Sequence, residues 1–157
     1  MRILVFSDTH GNIRGALEVL KAVNKVDMVL HAGDNVTDAQ ALSYVFDKIP
    51  FHYVRGNNDY FSDAENDKVV IAGDKTIFLT HGHYYNVKST LRRLSARAAV
   101  AGADLAVFGH THKGFDGYVE GAHIFNPGAM GFGEMSYGVI EIEEDKLKTA
   151  VIMFNKE

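Results

Sequence analysis

Two short apolar runs in the sequence each lead into a pair of side chains that commonly bind metal ions. "FSDTHGN" at 6–12 contains Asp8 and His10, and "FGHTHKG" at 108–114 contains His110 and His112. Each stretch follows apolar residues, "ILV" and "LAV", which predict strands. In extended backbone, side chains two residues apart point to the same side. Each stretch is therefore predicted to present two ligand-type side chains together at the exit of a strand.

Three further predicted strand exits carry similar polar side chains. Asp34 follows "MVLHAG", Asn57 follows "HYVRG" and His81 follows "TIFLT". In α/β sheets, functional groups gather at the carboxyl ends of the strands. The exits are therefore expected to converge on one edge of a sheet, and the glycine beside each exit permits a sharp turn and a close approach to a ligand.

The order of the remaining patterns favours an α/β fold. Strand and helix patterns alternate in the first part of the chain, and strands dominate the second part, which predicts two sheets or one large mixed sheet. A polar stretch at 57–68 is predicted to be a surface loop. The predicted strands are 3–6, 28–31, 52–54, 69–71, 76–79, 105–108, 123–125, 137–142 and 149–154, and the predicted helices are about 13–24, 37–47 and 86–101.

Composition narrows the class of protein. A chain of 157 residues is expected to form one domain, 1–157, with a sizeable core. No apolar run approaches the roughly 20 residues needed to cross a bilayer, so no membrane partner is expected. The net charge of −4 argues against an extended nucleic-acid footprint. The negative net charge is compatible with a phosphorylated substrate, because bound metal ions would reverse the local electrostatic field. The absence of cysteine fits a reducing compartment, and the predicted location is the cytoplasm.

The candidate ligands supply oxygen and imidazole nitrogen but no sulfur. Such a mixture suits Mn, Fe, Zn or Ni. Seven ligands are too many for one ordinary site, but they suit two ions if one carboxylate bridges. Two ions about 3.5–4 Å apart activate water and hold a phosphoryl group for in-line displacement. The candidates are Asp8, His10, Asp34, Asn57, His81, His110 and His112.

These motifs resemble those of the calcineurin-like metallophosphoesterase superfamily. Its pattern of D-x-H, G-D, G-N-[H/C]-[D/E], H and G-H-x-H reads here as "DTH", "GD", "GNND", "THGH" and "GHTH", with "NPG" at 126–128 also typical. The small size and the wording of the motifs are similar to compact bacterial and archaeal phosphodiesterases of the YfcE type. The resemblance implies a four-layer sandwich, two mixed sheets flanked by helices, and a phosphodiesterase acting on a small diester.

The resemblance also assigns the ligands. Asp8, His10 and His112 would hold the first ion, and Asn57, His81 and His110 the second. Asp34 would bridge the two, and a bridging hydroxide would attack phosphorus. Mn is the first candidate for both ions, with Ni, Zn, Fe or Mg as alternatives. A homodimer or a higher homo-oligomer is common among similar proteins and is the corresponding expectation here.

Asn58 departs from the usual superfamily pattern. Many members have His at this position, near the leaving group, whereas an amide donates a hydrogen bond but delivers no proton at neutral pH. A preference for good leaving groups, such as aryl esters, is therefore predicted. Asp59 is expected to hydrogen-bond a histidine and fix its tautomer. His83 is either a pocket residue or an ordinary turn histidine, and it completes the candidate catalytic set with Asn58 and Asp59.

Two other functions compete with the phosphodiesterase prediction. A phosphomonoesterase or nucleotidase would use the same two ions and the same motifs. A binding scaffold would keep the fold without turnover, as a retromer subunit related to this family does. A scaffold should show eroded ligands, whereas all seven positions here carry residues that can bind metal.

Overall fold

The computed structural model describes residues 1–155, so the last two residues of the predicted 1–157 domain lie outside the described part. The described chain forms two five-stranded sheets and three α-helices. The elements are β1 Arg2–Phe6, α1 Arg14–Ala22, β2 Met28–His31, α2 Val36–Val45, β3 Phe51–Tyr53, β4 Asp67–Ala72, β5 Lys75–Thr80, a 3₁₀-helix His83–Tyr85, α3 Arg92–Val100, β6 Leu105–Val107, β7 Gly114–Val119, β8 Ala122–Pro127, β9 Met135–Glu143 and β10 Lys146–Phe154.

The first sheet has the strand order β10-β9-β1-β2-β3. Strands β1, β2 and β3 run parallel, and the helices α1 and α2 connect them. The long hairpin of β9 and β10 joins this sheet antiparallel to β1, with Val5 opposite Gly138. The parallel strands therefore end at the same edge of the sheet, and the polar residues that follow them are brought together there.

The second sheet has the order β4-β5-β6-β8-β7. Strands β5, β6 and β8 are parallel, while β4 and β7 pair antiparallel at the two outer positions. Because α3 connects β5 to β6, both strands end on the same side. This edge supplies the second half of the candidate ligands.

Three apolar clusters hold four layers together. The central cluster joins the inner faces of the two sheets and includes Val5, Leu30 and Leu79. A second cluster packs α1 and α2 on the outer face of the first sheet, and a third packs α3 on the outer face of the second. Burying such aliphatic and aromatic side chains is the main favourable contribution to folding. The predicted α/β four-layer sandwich of two mixed sheets is confirmed.

Two elements were predicted wrongly. No strand was predicted between 108 and 123, but this region contains β7, which pairs with β8 through a tight turn at Glu120 and Gly121, both with positive φ. The predicted helix over 86–101 begins only at Arg92, because Asn86 takes a left-handed conformation that ends the preceding 3₁₀-helix. Thr90 Oγ1 then accepts the Arg92 amide 3.2 Å away, at the start of α3.

Within residues 1–155, no helix combines the length and the apolar character needed to span a bilayer.

Candidate metal centre

The predicted ligands lie where five parallel strands end, and they come from both sheets. Those after β1, β2 and β3 belong to the first sheet, and those after β5 and β6 belong to the second. The centre therefore lies across the gap between the two sheets at one edge of the sandwich. The first sheet contributes Asp8, His10, Asp34 and Asn57, and the second contributes His81, His110 and His112.

Most of these ligands lie in turns with an unusual backbone. Five of them have positive φ, between 48° and 65°, although they are not glycine. Such conformations are uncommon and persist where the surrounding structure fixes them, often at functional sites. The expectation that each pair lies in extended backbone was wrong, because β1 ends at Phe6 and β6 ends at Val107. The five are Asp8, His10, Asp34, His110 and His112.

The left-handed turns nevertheless bring the predicted first ligand group together. Asp8 Oδ1 lies 3.2 Å from His112 Nε2 and 3.7 Å from His10 Nε2. The two imidazole nitrogens are 3.2 Å apart. Asp8 is fully buried, His10 is half-buried and His112 is exposed. The group therefore opens to solvent on its histidine side.

The second ligand group surrounds the buried side chain of His81. Its Nε2 lies 3.0 Å from Asn57 Oδ1 and 3.2 Å from His110 Nδ1. The same nitrogen lies 3.5 Å from Asp34 Oδ2 and 4.0 Å from Asp8 Oδ1. Carboxylate, amide and imidazole atoms of four other residues thus face one imidazole nitrogen.

The tautomer of His81 explains why this arrangement suits a cation. Its Nδ1 lies 2.6 Å from the Ala32 carbonyl oxygen, an atom that only accepts, so Nδ1 carries the proton. Nε2 therefore presents a lone pair to the oxygen atoms of Asp34 and Asn57. Burial lowers the pKa of His81 to about 4, which keeps the ring neutral at neutral pH. A neutral imidazole whose other nitrogen donates to a carbonyl is the usual form of a metal ligand.

Asp8 shows the same fit from the carboxylate side. Its Oδ2 accepts the Ser7 hydroxyl at 2.5 Å and the His110 amide at 3.0 Å. Its Oδ1 is buried and has no hydrogen-bond partner among the described residues, which is costly for a carboxylate. Burial, with a contribution from the charge of Asp34, raises the pKa of Asp8 to about 7. A cation near Oδ1 would supply the missing partner.

The bridging role predicted for Asp34 stays a prediction. Its Oδ1 accepts the backbone amide of Asn58 at 3.0 Å, and its Oδ2 accepts the side-chain amide of Asn58 at 2.8 Å. The carboxylate common to both ligand groups in this structure belongs to Asp8, which lies with His10 and His112 on one side and with Asp34 and His81 on the other. Asn58 therefore lies at the centre and orients the Asp34 carboxylate.

The histidine partner predicted for Asp59 is wrong. The buried Asp59 carboxylate accepts three backbone amides instead, those of Gly56 at 2.7 Å, Val36 at 2.8 Å and Asp34 at 3.0 Å. It therefore ties the β2 and β3 exit loops together and places a negative charge at the start of α2, where the helix dipole favours one. Its contacts are those of a positioning residue for Asp34.

His83 lies beside the centre. Its ring centroid is 5.4 Å from that of His81, 6.1 Å from that of His110 and 4.1 Å from that of Tyr84, whose ring is tilted by 38°. Partial burial lowers the pKa of His83. His83 thus lies beside the second ligand group. The contribution of His83 to catalysis stays a prediction.

Several residues that support the ligands were missed in the sequence. Asn126 donates to the Gly109 carbonyl at 2.9 Å and to Thr111 Oγ1 at 3.0 Å, so it holds the turn that carries His110 and His112. Ser7 orients Asp8. The "NPG" motif at 126–128 could have indicated the supporting role of Asn126, whereas nothing in the sequence around Ser7 indicates that it orients Asp8.

His31 supports the turn between Asp8 and His10. Its Nδ1 accepts the Gly33 amide at 3.2 Å, so Nε2 carries the proton and donates to Thr9 Oγ1 at 3.1 Å. Complete burial lowers the pKa of His31 to about 4. The ring is therefore a neutral structural element below the ligands.

Two glycines are required by close packing against the ligands. A Cβ added to Gly56 would overlap the Asp34 carboxylate and lie 2.7 Å from the Asp34 backbone nitrogen. A Cβ added to Gly109 would overlap the Ser7 hydroxyl and lie 2.8 Å from Asp8 Oδ2. Both loops therefore approach the carboxylates as closely as the backbone allows.

Comparison with known proteins gives the class of this fold and site. The family profile of the calcineurin-like phosphoesterase superfamily domain matches residues 1–145. The "probable metallophosphoesterase YsnB" of Bacillus subtilis is 30% identical over 150 residues, which cover 92% of this chain and 86% of that protein. "Phosphodiesterase MJ0936" of Methanocaldococcus jannaschii is 27% identical over 97% of this chain and 99% of its own length.

A solved structure agrees with these relatives. A Streptococcus pneumoniae protein described as a "predicted phosphoesterase" superposes with a TM-score of 0.81 at 27% identity, over 97% of this chain and 88% of its own. The chain belongs to the calcineurin-like phosphoesterase superfamily. It is a metal-dependent phosphoester hydrolase, and its candidate metal-binding residues are the Asp and His clusters described above.

Proposed function

We propose that the protein is a phosphodiesterase that uses two divalent ions, with Mn as the first candidate and Ni, Zn, Fe or Mg as alternatives. One observation carries the proposal: the buried, unpartnered Asp8 Oδ1 lies within reach of two groups of ligand atoms. A single ion would satisfy one group and leave the other group's lone pairs facing one another. The phosphodiesterase name of the Methanocaldococcus jannaschii relative supports the choice of diesters.

The ions would supply a water activated at neutral pH and positive charge for the phosphoryl oxygens. The residues of the chain provide the geometry. Asp8 and His81 are buried and fixed by hydrogen bonds, so the atoms that would face the ions are preorganised. His112 and Asn57 are exposed and leave the centre open to a substrate from solvent.

Asn58 sets the expected preference among esters. Its side-chain amide is exposed beside the Asp34 carboxylate and donates hydrogen bonds, but it has no proton to transfer at neutral pH. Esters whose leaving group departs without protonation, such as aryl phosphodiesters, are therefore expected to react fastest. His83 is proposed as a pocket residue on the other side of His81.

The substrate is proposed to be a small phosphodiester, without an extended nucleic-acid footprint or a membrane. Assembly into a homo-oligomer and placement in the cytoplasm stay predictions.

The first experiment measures hydrolysis of bis(p-nitrophenyl) phosphate by the metal-stripped protein before and after addition of Mn²⁺, Ni²⁺ or Zn²⁺. Hydrolysis is expected only with metal. His81→Gln should lower activity at a fixed metal concentration by at least about 100-fold, because it removes a ligand of the second group. His52→Gln is the matched control, since His52 lies on β3 outside both ligand groups, and its activity should be unchanged.

Other outcomes would favour a different function. Rapid turnover of p-nitrophenyl phosphate and none of the diester would support a phosphomonoesterase or nucleotidase. Tight metal binding without turnover of either ester would support a scaffold. Equal losses in the two histidine variants would contradict the assigned metal centre.

A further inference from the structure

A groove beside the metal centre lies between the start of α2 and the loop that follows β3. We call it the Asn58 groove; it encloses about 590 Å³, and its walls include Asn35, Gln40, Tyr53, Asn58, Tyr60 and Phe61. This volume is in the range of small-molecule sites. Asn58 contributes to the groove and also donates to Asp34, so a ligand held at the centre reaches the groove directly.

The polar groups of the Asn58 groove are mostly neutral. They are side-chain amides and hydroxyls, which both donate and accept hydrogen bonds. Within the described residues, the lining of this groove contains no lysine or arginine. Its two acidic residues are Asp59, whose carboxylate accepts three backbone amides, and Asp63. A second phosphate or a carboxylate would therefore be repelled from this groove.

A second groove gives the opposite environment. It encloses about 500 Å³, and its walls include Lys88, Lys113, Phe108 and Phe115. Thr111, between His110 and His112, also lines it, so it adjoins the loop that carries these two ligands. The ligand loops thus adjoin one neutral groove and one cationic groove, and the two ester groups of a diester would meet different chemistry.

Two aromatic side chains stand exposed on the wall of the Asn58 groove. Phe61 has 101% of its reference surface exposed, and Tyr60 has 74%. A single exposed aromatic needs no explanation, but two consecutive ones on a wall that also carries amide donors and acceptors offer ring faces to a flat ligand. Stacking of a base on an aromatic side chain tolerates any base, and the amides can read ring edges.

The loop carrying these rings is held in place. The Arg55 amide donates to the Glu65 carbonyl at 2.9 Å, and the Arg55 guanidinium donates to the Ser62 carbonyl at 3.3 Å. The Ala64 amide donates to Ser62 Oγ at 3.1 Å. A loop closed across its base in this way presents its aromatic rings without having to order them on binding, which favours affinity.

We propose that the Asn58 groove binds a flat, uncharged heteroaromatic group of the substrate, of the nucleobase class, attached through its sugar to the phosphorus at the metal centre. This inference rests on the proposed phosphodiesterase function and deepens it. It makes a nucleoside-containing diester the expected substrate class, with the second ester group on the Lys88 and Lys113 side.

The test compares two phosphate monoesters that differ only in the attached group, thymidine 5′-monophosphate and methyl phosphate, with methylenebisphosphonate as a probe of the metal centre alone. Each would compete with bis(p-nitrophenyl) phosphate on the full Mn²⁺-loaded chain. Calorimetry would measure the binding of each compound independently of turnover. Phe61→Ala removes a wholly exposed ring and leaves the core intact, and Tyr118→Ala is the control because Tyr118 is 74% exposed and lines neither groove.

Thymidine monophosphate is expected to bind about tenfold more tightly than methyl phosphate to the parent chain and to Tyr118→Ala. In Phe61→Ala, the dissociation constants of thymidine monophosphate and methyl phosphate should become equal, and that of methylenebisphosphonate should be unchanged. Equal binding of the nucleotide and methyl phosphate, or an unchanged ratio in Phe61→Ala, would overturn the inference. If calorimetry shows the expected ratio while no ester is hydrolysed, the proposed function fails and the groove assignment stands. If the esters are hydrolysed but thymidine monophosphate and methyl phosphate bind equally tightly, the groove assignment fails and the proposed function stands.

Discussion

Replacement of Asp59 by asparagine tests how the β2 and β3 exit loops are held. The side chain serves three buried backbone amides, two at Oδ2 and one at Oδ1. In the best orientation, the amide oxygen of Asp59→Asn still faces Gly56 and Asp34, while its NH₂ group faces the Val36 amide. One donor then loses its acceptor, at a cost of about 1–3 kcal/mol. The two remaining bonds lose their charge assistance and weaken by roughly 1 kcal/mol together. The expected loss in the free energy of unfolding is therefore about 2–4 kcal/mol.

Urea unfolding of the metal-stripped protein, followed by circular dichroism, measures this loss. In a thermal scan it would correspond to a fall in Tm of roughly 5–15 °C. Asp63→Asn is the matched control, because Asp63 lies in the same loop and is exposed, and its carboxylate makes no hydrogen bond among residues 1–155. A loss for Asp59→Asn below about 1 kcal/mol, or one equal to that of Asp63→Asn, would refute the assigned hydrogen bonds and their energetic role.

Two further predictions concern packing and acid stability. Gly56→Ala should weaken Mn²⁺ binding measured by calorimetry and destabilise the fold by about 1–3 kcal/mol, since its Cβ meets the Asp34 carboxylate and backbone. Gly73→Ala is the control for affinity alone: its φ of 63° strains the alanine, but its Cβ meets open space, so Mn²⁺ affinity should equal that of the parent. Equal affinities in both variants would contradict the packing. The pKa of His31 is lowered from 6.5 to about 4, so its stabilising contribution is present above pH 6.5 and is lost as pH falls towards 4. Between pH 7 and 4 the parent chain should lose roughly 3 kcal/mol more in urea titrations than His31→Gln, and parallel pH profiles would contradict this assignment.

The sequence identified the candidate ligands, because their residue types and their positions at the ends of apolar strands can both be read from it. The strands before Asp8, Asp34 and His81 are apolar and were predicted, so the polar residues at their ends were expected to meet. The geometry that brings them together was not predictable in the same way. Left-handed φ at Asp8 and His10 depends on tertiary contacts such as the hydrogen bond from the Asp8 amide to the Gly33 carbonyl.

Other misses have similar physical causes. Strand β7 contains Gly114, Asp116 and Gly117, which have low strand propensity, and it forms because β8 offers a hairpin partner. The partners of Asp59 are backbone amides, which every residue except proline carries, so no pattern of side chains reveals them. The aromatic wall formed by Tyr60 and Phe61 lies in a segment predicted only as a polar surface loop.

The hydrogen bond from His81 Nδ1 to the Ala32 carbonyl joins the end of a strand in one sheet to the end of a strand in the other. Because the candidate ligands come from both sheets, a bound cation would hold the two sheets together at this edge. Ligand binding to the native state alone adds RT ln(1 + [L]/Kd) to stability. Because this increase in stability applies to both sheets, amide hydrogen exchange of β2 and of β5 should slow together as the metal concentration rises. A metal-loaded centre would thus link, at one edge, the two layers that the central apolar cluster joins in the interior.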